Sequence, residues 1–366
     1  MKKTILLIGA FALSLTSFSQ VLEQENFNNL VPGDVGTVFD ASGAGQGGFF
    51  TLATNGDAAS TTTNAGNSNF QIATVRNSTE QNFNLTGPDG DQGVRAMWRD
   101  GLDMSWTSRT VGNDVIELEY TFNTGPTTTS KNQIGMRIFA DNPSTDPNAP
   151  ATTSCVGYSY ETSTGELFGI AYLNNGGTEG TFRIGLSATG LILSPNTDYT
   201  IGCSYNVATG EVLWKTDPNA GNATIGSAFW VTNQVPLEID FLAFSTAANP
   251  NATPPVTANT SATTLTFKDY VSRAVATSNL LSNEDETLDE VSVKIFPNPA
   301  TDILNVSSPT QQLTSLEIVD LNGRLIKSLE VNNTEVNANI EDLKPGLYIL
   351  NISSNDTVIT RKFVKE

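Results

Sequence analysis

The sequence predicts an all-β protein made of two β-sandwiches, and three observations lead to this fold class. Hydrophobic residues make up 38% of the chain, which is enough for packed cores but too little for a membrane protein. Short β-branched and aromatic runs alternate with Gly, Asn, Asp and Pro turns, a pattern typical of antiparallel strands. The 366 residues exceed one average domain. After the N-terminal leader, no segment shows a helical period.

The main body, residues 20–275, carries a series of strand candidates at short spacing. Examples are "DVIELEYTF", "CVGYSYE" and "LEIDFLAFS", in which polar and apolar residues alternate. Many short strands of this kind, separated by turn residues, predict a two-sheet sandwich, and the length and strand number favour a jelly roll. Two similar segments carry Gly165 and Gly210 between strands, and we expect a tight hairpin at each.

A second folding unit is predicted at the C-terminus. Residues 276–290, "ATSNLLSNEDETLDE", end in an acid-rich run without periodicity, as expected of an exposed linker. The strand pattern then resumes over 291–366, with a hairpin expected at Asn322-Gly323. About seven short strands in this segment predict a small immunoglobulin-like sandwich.

The N-terminus, residues 1–19, is typical of a secretory signal peptide. The basic start "MKK" precedes an apolar run and a small-residue cleavage site, which predicts a cut between Ser19 and Gln20. No cysteine lies near the cut, so a lipoprotein anchor is not expected. No other segment is long and apolar enough to be a transmembrane segment.

Charge and histidine content exclude several classes of function. The formal net charge of −19 falls to −21 once Lys2 and Lys3 are removed, leaving 17 basic against 38 acidic residues. Such an acidic protein repels phosphate backbones, so no nucleic-acid partner is expected. The chain has no histidine, which excludes histidine-based catalytic triads and histidine-ligated metal sites. An enzyme is therefore disfavoured, and any catalysis would rest on carboxylates, Tyr, Lys or Arg.

The two cysteines, Cys155 and Cys203, leave two alternatives open. In an exported protein they could form a disulfide, which would close a loop of about fifty residues and stabilise the fold by a few kcal/mol. Alternatively, both are buried thiols that act as small hydrophobic side chains.

The segment "PLEIDFLAF" places Glu238 and Asp240 on one face of a strand. It resembles part of the Glu-x-Asp-x-x-Glu signature of jelly-roll endoglucanases, in which one acid attacks and another protonates. Ala243 and Phe244 stand where the final acid should fall, so an ordinary strand is favoured over a catalytic one. No complete catalytic set is predicted.

Two further carboxylate pairs are candidates. Glu117 and Glu119 share one strand face, which either lines a polysaccharide groove or is the wet face of a half-buried strand, the favoured interpretation. Asp89 and Asp91 lie in the turn "GPDGDQG" and are candidate ligands of a structural calcium ion, although ordinary turn chemistry is favoured. No other cofactor is expected.

Aromatic residues offer a binding surface as an alternative to catalysis. For each of them, burial in the core is the default, and an exposed group on one sheet would form a flat platform for sugar rings. The candidates are Trp98, Trp106, Trp214, Trp230, Tyr158, Tyr160 and Tyr172.

The tail carries an ordered set of motifs: "KIFPNPATDILNV", a central "DLNGRLI", "LKPGLYILNI" and the basic ending "RKFVK". In this order they resemble the type A C-terminal sorting domain of the type IX secretion system of Bacteroidetes. The matching residues are Phe296, Pro297, Asn298, Pro299, Gly323, Pro345, Gly346, Tyr348, Lys362 and Lys365. The resemblance implies export by Sec, recognition by the secretion machinery at the outer membrane, and cleavage of the domain after translocation.

The main body resembles concanavalin A/laminin G-like jelly rolls in pattern and size. We therefore expect a secreted or surface-displayed protein whose sandwich binds extracellular polysaccharide. A carboxylate-dependent polysaccharide hydrolase or lyase, and a purely structural or adhesive surface protein, are the alternatives.

Overall fold

The computed structural model describes residues 19–142, 151–217, 221–281, 293–308, 313–320, 324–354 and 358–366. The chain divides into two compact units between Leu281 and Ser282. The signal segment up to residue 18, the acidic part of the predicted linker and the Asn322-Gly323 turn lie outside the described residues. Within the described part of the chain, no helix has the length and apolar character needed to cross a membrane.

The N-terminal unit consists almost entirely of strands. In chain order its elements are β1 (Gln20–Glu25), β2 (Gly33–Asp34), β3 (Phe50–Ala53), β4 (Phe70–Thr74), β5 (Gln81–Thr86), β6 (Val94–Trp98), α1 (Leu102–Thr107), β7 (Val115–Asn123), β8 (Gln133–Asp141), β9 (Thr152–Glu161), β10 (Glu166–Asn175), β11 (Thr178–Gly185), β12 (Leu191–Ile192), β13 (Asp198–Asn206), β14 (Val212–Lys215), β15 (Ala223–Thr224), β16 (Pro236–Phe244) and β17 (Thr264–Val275). Single-turn 3₁₀ helices occupy Gln46–Gly48, Asn67–Asn69 and Ser227–Phe229.

These strands form two antiparallel sheets. The first sheet has the order β15-β14-β13-β7-β17-β5-β4-β2, with β1 also paired to β17. The second sheet has the order β11-β10-β9-β8-β16-β6-β3, with β12 also paired to β10. Hairpin neighbours such as β9 and β10 alternate with neighbours that are distant in sequence, such as β7 with β17 and β8 with β16, as in Greek-key and jelly-roll folds. The predicted all-β, jelly-roll-like class is confirmed.

Aromatic rings join the two sheets at the centre of the core. Phe241, from β16 of the second sheet, has its ring centroid 5.1 Å from that of Phe83, 5.0 Å from Phe267 and 5.4 Å from Tyr270, all on the first sheet. All three pairs are edge-to-face, the geometry that adds about 0.5–1.5 kcal/mol per pair beyond area burial. This cluster fixes which face of β16 points inward.

The expectation of no helix after the leader is wrong at one place, α1. The Leu102 and Trp106 side chains, one helical turn apart, are both buried in the core. Gly101 precedes the helix with a positive φ of 114°. Because the helix has only six residues, it contributes a single apolar pair, which is too little for a recognisable period.

Both predicted hairpins are present. β9 and β10 pair across a turn that contains Gly165 with φ 73°, and β13 and β14 pair across a turn that contains Gly210 with φ 81°. In each turn the glycine N–H donates to the backbone carbonyl four residues earlier, at 2.9 and 2.7 Å respectively. The left-handed conformation explains the glycine at these two positions.

Of the two alternatives for Cys155 and Cys203, the structure has the second, free thiols. Both residues are buried free thiols, on β9 of the second sheet and β13 of the first. Packed sheets lie about 10 Å apart, whereas a disulfide requires Cα atoms within about 7 Å. Burial raises the pKa of both thiols, so they pack as small hydrophobic side chains.

The C-terminal unit is a smaller two-sheet sandwich. Its strands are β18 (Lys294–Phe296), β19 (Ile303–Ser307), β20 (Leu313–Val319), β21 (Leu325–Asn333), β22 (Glu335–Asn339), β23 (Gly346–Ser354) and β24 (Val358–Lys365). They form a three-stranded sheet, β18-β19-β22, and a four-stranded sheet, β21-β20-β23-β24. Leu304 of the first and Leu316, Leu350 and Phe363 of the second share one core cluster. The predicted small sandwich is confirmed.

Candidate functional site

Side-chain alternation along β16 divides its residues between two surfaces. Ile239, Phe241 and Ala243 belong to the main core cluster. Glu238 and Asp240 alternate with them and therefore lie on the opposite, outer face of the second sheet. The predicted shared face of these two acids is thus found in the structure.

Strand register places one residue from each of seven strands in a line across this outer face, which we name the central row. Arg183 pairs with Ile170, Ile170 with Gly157, Gly157 with Arg137, and Arg137 with Asp240. Phe241 pairs with Met97 on β6. Continuing this antiparallel register by one residue places Asp240 beside Trp98, and Trp98 pairs with Phe50. The central row is Arg183, Ile170, Gly157, Arg137, Asp240, Trp98 and Phe50.

Asp240 is the unusual member of the central row. Its side chain is buried, with a relative exposure of 7%, and its Oδ1 atom has no hydrogen-bond partner among the described residues. Burial raises the pKa of the Asp240 carboxyl well above its usual range, and the Glu238 charge adds to the increase. Arg137 opposes this increase without reversing it.

Other buried carboxylates in the described residues are satisfied. Glu23 accepts hydrogen bonds from Arg99, at 3.1 Å, and from the Tyr270 hydroxyl. Glu117 accepts from the Asn279 backbone N–H at 2.6 Å and from the Ser278 hydroxyl at 2.9 Å. Native proteins pair nearly all buried polar groups, so the unpaired Asp240 oxygen requires an explanation.

Arg137, directly opposite Asp240 on β8, is also incompletely paired. Its Nε atom is buried without a partner among the described residues, and its Nη1 lies 3.5 Å from the Ser154 Oγ. The guanidinium carbon lies 5.0 Å from the centre of the Phe244 ring. Burial lowers the pKa of Arg137 to about 10, against the raising effect of Asp240. An unpaired donor and an unpaired acceptor therefore belong to two directly paired residues at the middle of the row.

Aromatic rings lie toward both ends of the central row. The Trp98 and Phe50 rings are stacked, with centroids 5.9 Å apart and planes inclined by 20°. At the other end, the Arg183 guanidinium lies 3.4 Å from the centre of the Phe168 ring and forms a 2.6 Å ion pair with Glu161. These rings are apolar surfaces on the same face as the unpaired polar atoms.

Between the aromatic ends, the strands β8 and β9 carry small residues. A Cβ atom at Gly157 would lie 2.8 Å from the Arg137 Cγ and 2.5 Å from the Met136 carbonyl oxygen. The absent side chain leaves room for the Arg137 stem to lie across β9. Gly135 on β8 and Ser159 on β9 occupy neighbouring positions of the outer face. Because their side chains are small, few atoms project from this part of the face.

The aromatic candidates separate into two groups. Four of them lie in the core, which is the default location expected from the sequence: Trp106, Trp214, Tyr158 and Tyr160. Trp98 and Tyr172 alternate with core residues and lie on the outer face, where Trp98 is half-buried and Tyr172 is buried, with a relative exposure of 6%. Trp230 is half-buried and donates its indole N–H to the Ile225 carbonyl at 2.9 Å. Phe50, Phe168 and Arg137 were not predicted as site residues, because their neighbours are set by long-range strand pairing.

Glu117 and Glu119 have a structural role on the outer face of the first sheet. Glu117 accepts from the Ser278 hydroxyl at 2.9 Å as well as from Asn279, and Glu119 accepts from the Leu281 backbone N–H. Arg273 pairs with Glu119 at 2.8 Å. The start of the predicted linker is thus bound to the sheet, and these acids do not line an open groove.

Asp89 and Asp91 hold a neighbouring loop. Asp89 accepts from the backbone N–H and hydroxyl of Thr63, both at 2.8 Å, and Asp91 accepts from the Thr61 backbone N–H at 2.8 Å. The Thr61 hydrogen bonds lower the pKa of Asp91; burial raises that of Asp89, but hydrogen bonds from Thr63 leave it lowered. Throughout the described ranges, no group of three or more Asp, Glu, His or Cys side chains is arranged to hold a metal ion.

In the C-terminal unit, the first and last of the predicted motifs meet. The Asn298 side chain donates to the Lys362 carbonyl at 3.2 Å and accepts from the Val364 N–H at 2.9 Å. Lys362 is exposed, whereas Lys365 is buried, with a relative exposure of 7%. Tyr348 stacks on Phe363 with ring centroids 5.7 Å apart. Pro297 and Pro299 follow cis peptide bonds on either side of Asn298.

Residues 294–366 match the family model "Secretion system C-terminal sorting domain". The C-terminal unit is a type IX sorting domain. It marks the chain as a secreted cargo of that system, delivered to the cell surface or the medium. The sorting domain also implies an interaction with the secretion machinery. Gly323, one of its predicted motif residues, lies outside the described residues.

Among curated proteins, none matches the chain. Solved structures with a similar strand arrangement include an endo-1,3-β-glucanase from Streptomyces sioyaensis, with 10% identity and a TM-score of 0.43 over 71% of this chain and 97% of that one. A family 16 endo-glucanase from Bacteroides ovatus has 8% identity and a TM-score of 0.40 over 69% and 100%. An endo-β-1,4-glucuronan lyase from Trichoderma reesei has 7% identity and a TM-score of 0.38 over 66% and 94%.

Replacing Asp240 by Asn should stabilise the protein at neutral pH. The folded-state pKa of this carboxyl is raised, so the native state holds a proton more tightly than the unfolded chain, and stability falls as pH rises above about 4. We expect Asp240→Asn to increase the melting temperature at pH 7 by about 2–4 °C, which corresponds to an increase of ~1 kcal/mol in the free energy of unfolding. The increase should disappear below about pH 4.

Calorimetry across pH 3–8 measures this difference, with the exposed Asp103→Asn as the matched control. A neutral or destabilising effect of Asp240→Asn at pH 7 would contradict the account of Asp240 as a buried, poorly paired acid.

Proposed function

We propose that the N-terminal unit binds extracellular polysaccharide along the central row of the second sheet. The supporting observation is the unpaired Oδ1 of Asp240 opposite the unpaired Nε of Arg137, on a face that also carries the stacked Trp98 and Phe50 rings. Ligand sites typically combine apolar and aromatic surface with a few convergent polar groups. Sugars have the matching chemistry, since they carry hydroxyl groups around an apolar ring face.

The energetic argument favours a ligand over a structural role for these atoms. A buried polar group without a partner costs about 1–3 kcal/mol, and the charge of Arg137 offsets the burial of Asp240 only in part. A sugar hydroxyl that binds Asp240 would recover this cost. The aromatic rings would add stacking, which is worth about 0.5–1.5 kcal/mol per contact between rings in proteins.

A polysaccharide hydrolase or lyase is the second candidate function. The raised pKa values of Glu238, due first to burial, and of Asp240 favour it, because a general acid must stay protonated near neutral pH. The same face of β16 continues with Leu242 and Phe244 and supplies no further acid. Binding is therefore the leading proposal.

We also propose the finer steps of the secretion route. The leader, residues 1–19, directs Sec export to the periplasm and is removed before Gln20. The sorting domain then directs outer-membrane translocation and is cleaved from the cargo. The family match and the basic, apolar and small-residue order of the leader support this sequence of events.

Affinity gel electrophoresis of the full chain, in gels that contain single soluble polysaccharides, tests the binding proposal. We expect at least one polymer to retard the protein and Trp98→Ala to weaken retardation about tenfold, or ~1.4 kcal/mol. Met104→Ala, an exposed residue on α1 with 70% exposure, is the control and should leave retardation unchanged.

Absence of retardation by every neutral and acidic polymer would refute the binding proposal and leave a structural or adhesive role. Release of reducing ends that Asp240→Asn abolishes would transfer support to the hydrolase.

Deletion of residues 293–366 should trap the cargo in the periplasm, because the sorting domain is then absent. Cell fractionation with immunoblotting measures this, and the intact chain is the control. Asn298→Ala should reduce secretion several-fold, since Asn298 joins the first motif to β24. Normal surface delivery of the deletion variant would refute the sorting role.

A further inference from the structure

The two unpaired atoms at the centre of the row define the hydrogen bonds that a ligand must make. Asp240 and Arg137 are directly opposed on neighbouring antiparallel strands, where side chains start about 4.5–5.5 Å apart. The Asp240 Oδ1, when the carboxyl is ionised, accepts hydrogen bonds, and the Arg137 Nε only donates. A ligand that satisfies both must donate and accept at neighbouring atoms.

Hydroxyl groups meet this requirement, as amides do, whereas a carboxylate or an ammonium group meets only half of it. Each hydroxyl carries one donor and two acceptor positions, so two adjacent hydroxyls can donate to Asp240 and accept from Arg137. A carboxylate only accepts, which would satisfy Arg137 but place a like charge beside an ionised Asp240 and beside Glu238 on the same face of β16. An ammonium group only donates, which would satisfy Asp240 and leave Arg137 facing a like charge.

The charges around these atoms disfavour an acidic ligand. Glu238 lies on the same face of β16, two residues from Asp240. Burial raises the pKa of Glu238, and the charges of Asp100 and Asp141 raise it further. The charge of Glu23, on β1, also raises the pKa of Asp240. On the basic side, Arg183 is already paired with Glu161 at 2.6 Å. Beyond Arg137, the acids predominate near this part of the row, and a polyanion would be repelled.

We propose that the polysaccharide bound by the central row is a neutral glycan whose internal sugars carry adjacent free hydroxyls, with one hydroxyl donating to Asp240 and its neighbour accepting from Arg137. This inference rests on the proposed binding function and specifies its ligand. The flanking Trp98 ring contacts the apolar face of an adjoining sugar.

Three soluble polymers separate the parts of this proposal in affinity gels run with the full chain. Glucomannan is neutral and 1,4-linked, with adjacent hydroxyls on its internal sugars. Polygalacturonate is also 1,4-linked, through α rather than β linkages, and has adjacent hydroxyls, but it carries a carboxylate on each sugar. Laminarin is neutral, but its 1,3-linkage leaves no adjacent free hydroxyls on the main-chain sugars. We expect glucomannan to bind at least about tenfold more tightly than either of the others.

Chemical modification of the ligand adds a second test. Periodate cleaves the bond between the carbons that carry adjacent hydroxyls and so opens the sugar ring; after reduction the glucomannan stays neutral, and the treatment should abolish retardation. Equal retardation by the oxidised polymer or by laminarin would overturn the requirement for adjacent hydroxyls.

Variants at Asp240 test the role of its oxygen and its charge separately. Asp240→Ala removes the acceptor and should abolish binding of glucomannan. Asp240→Asn keeps a carbonyl oxygen and removes the charge, so it should retain part of the glucomannan binding and increase retardation by polygalacturonate several-fold. Near-UV circular dichroism shows whether each variant is folded.

The outcomes distinguish this inference from the function on which it rests. If no polysaccharide retards the protein, the proposed function fails. If polygalacturonate binds the unmodified protein as tightly as glucomannan, or Asp240→Ala leaves glucomannan binding intact, the function stands and the inference on its ligand is overturned.

Discussion

The alternation of side chains along β16 is the constraint on which the rest of the N-terminal unit depends. Phe241 is surrounded by aromatic rings from the first sheet, with Phe267 at 5.0 Å and Phe83 at 5.1 Å. A register slip of one residue would exchange the two faces and bring Asp240 into this apolar cluster. The core therefore fixes Asp240 on the outer face, at the centre of a sheet where both neighbouring strands are paired.

A fixed position does not by itself give Asp240 a partner, and this separates it from the other buried acids. Glu23 is held by Arg99 and Tyr270, and Glu117 by the segment that follows β17. Asp240 faces Arg137 across the strand pair, yet the two form no direct ion pair within the described contacts. Proteins keep such poorly satisfied groups mainly where function requires them. This incomplete pairing supports the proposal that the central row binds a polar ligand, and it carries a cost in stability.

Local sequence signals predicted the strands, the two hairpins and the shared face of Glu238 and Asp240, because these depend on alternation and turn chemistry within a few residues. The pairing of Arg137 with Asp240, and of Trp98 with Phe50, depends on sheet order and joins residues far apart in sequence. No local pattern encodes that order. The role of Glu117 was missed for the same reason, since its donors, Ser278 and Asn279, come from a segment that reads as linker. The short helix α1 was missed because one apolar pair is not a period.

The most direct test of this account is a titration of the Asp240 carboxyl by carbon NMR, in full-length protein labelled at the Asp side-chain carboxyl carbons. Loss of one resonance in Asp240→Asn assigns the signal. The account predicts a midpoint well above the ordinary Asp range of about 3.9 in the free protein, because burial without a hydrogen-bond donor disfavours the charged form. A midpoint at or below that range would show that the carboxyl is solvated or paired, and would contradict the central claim.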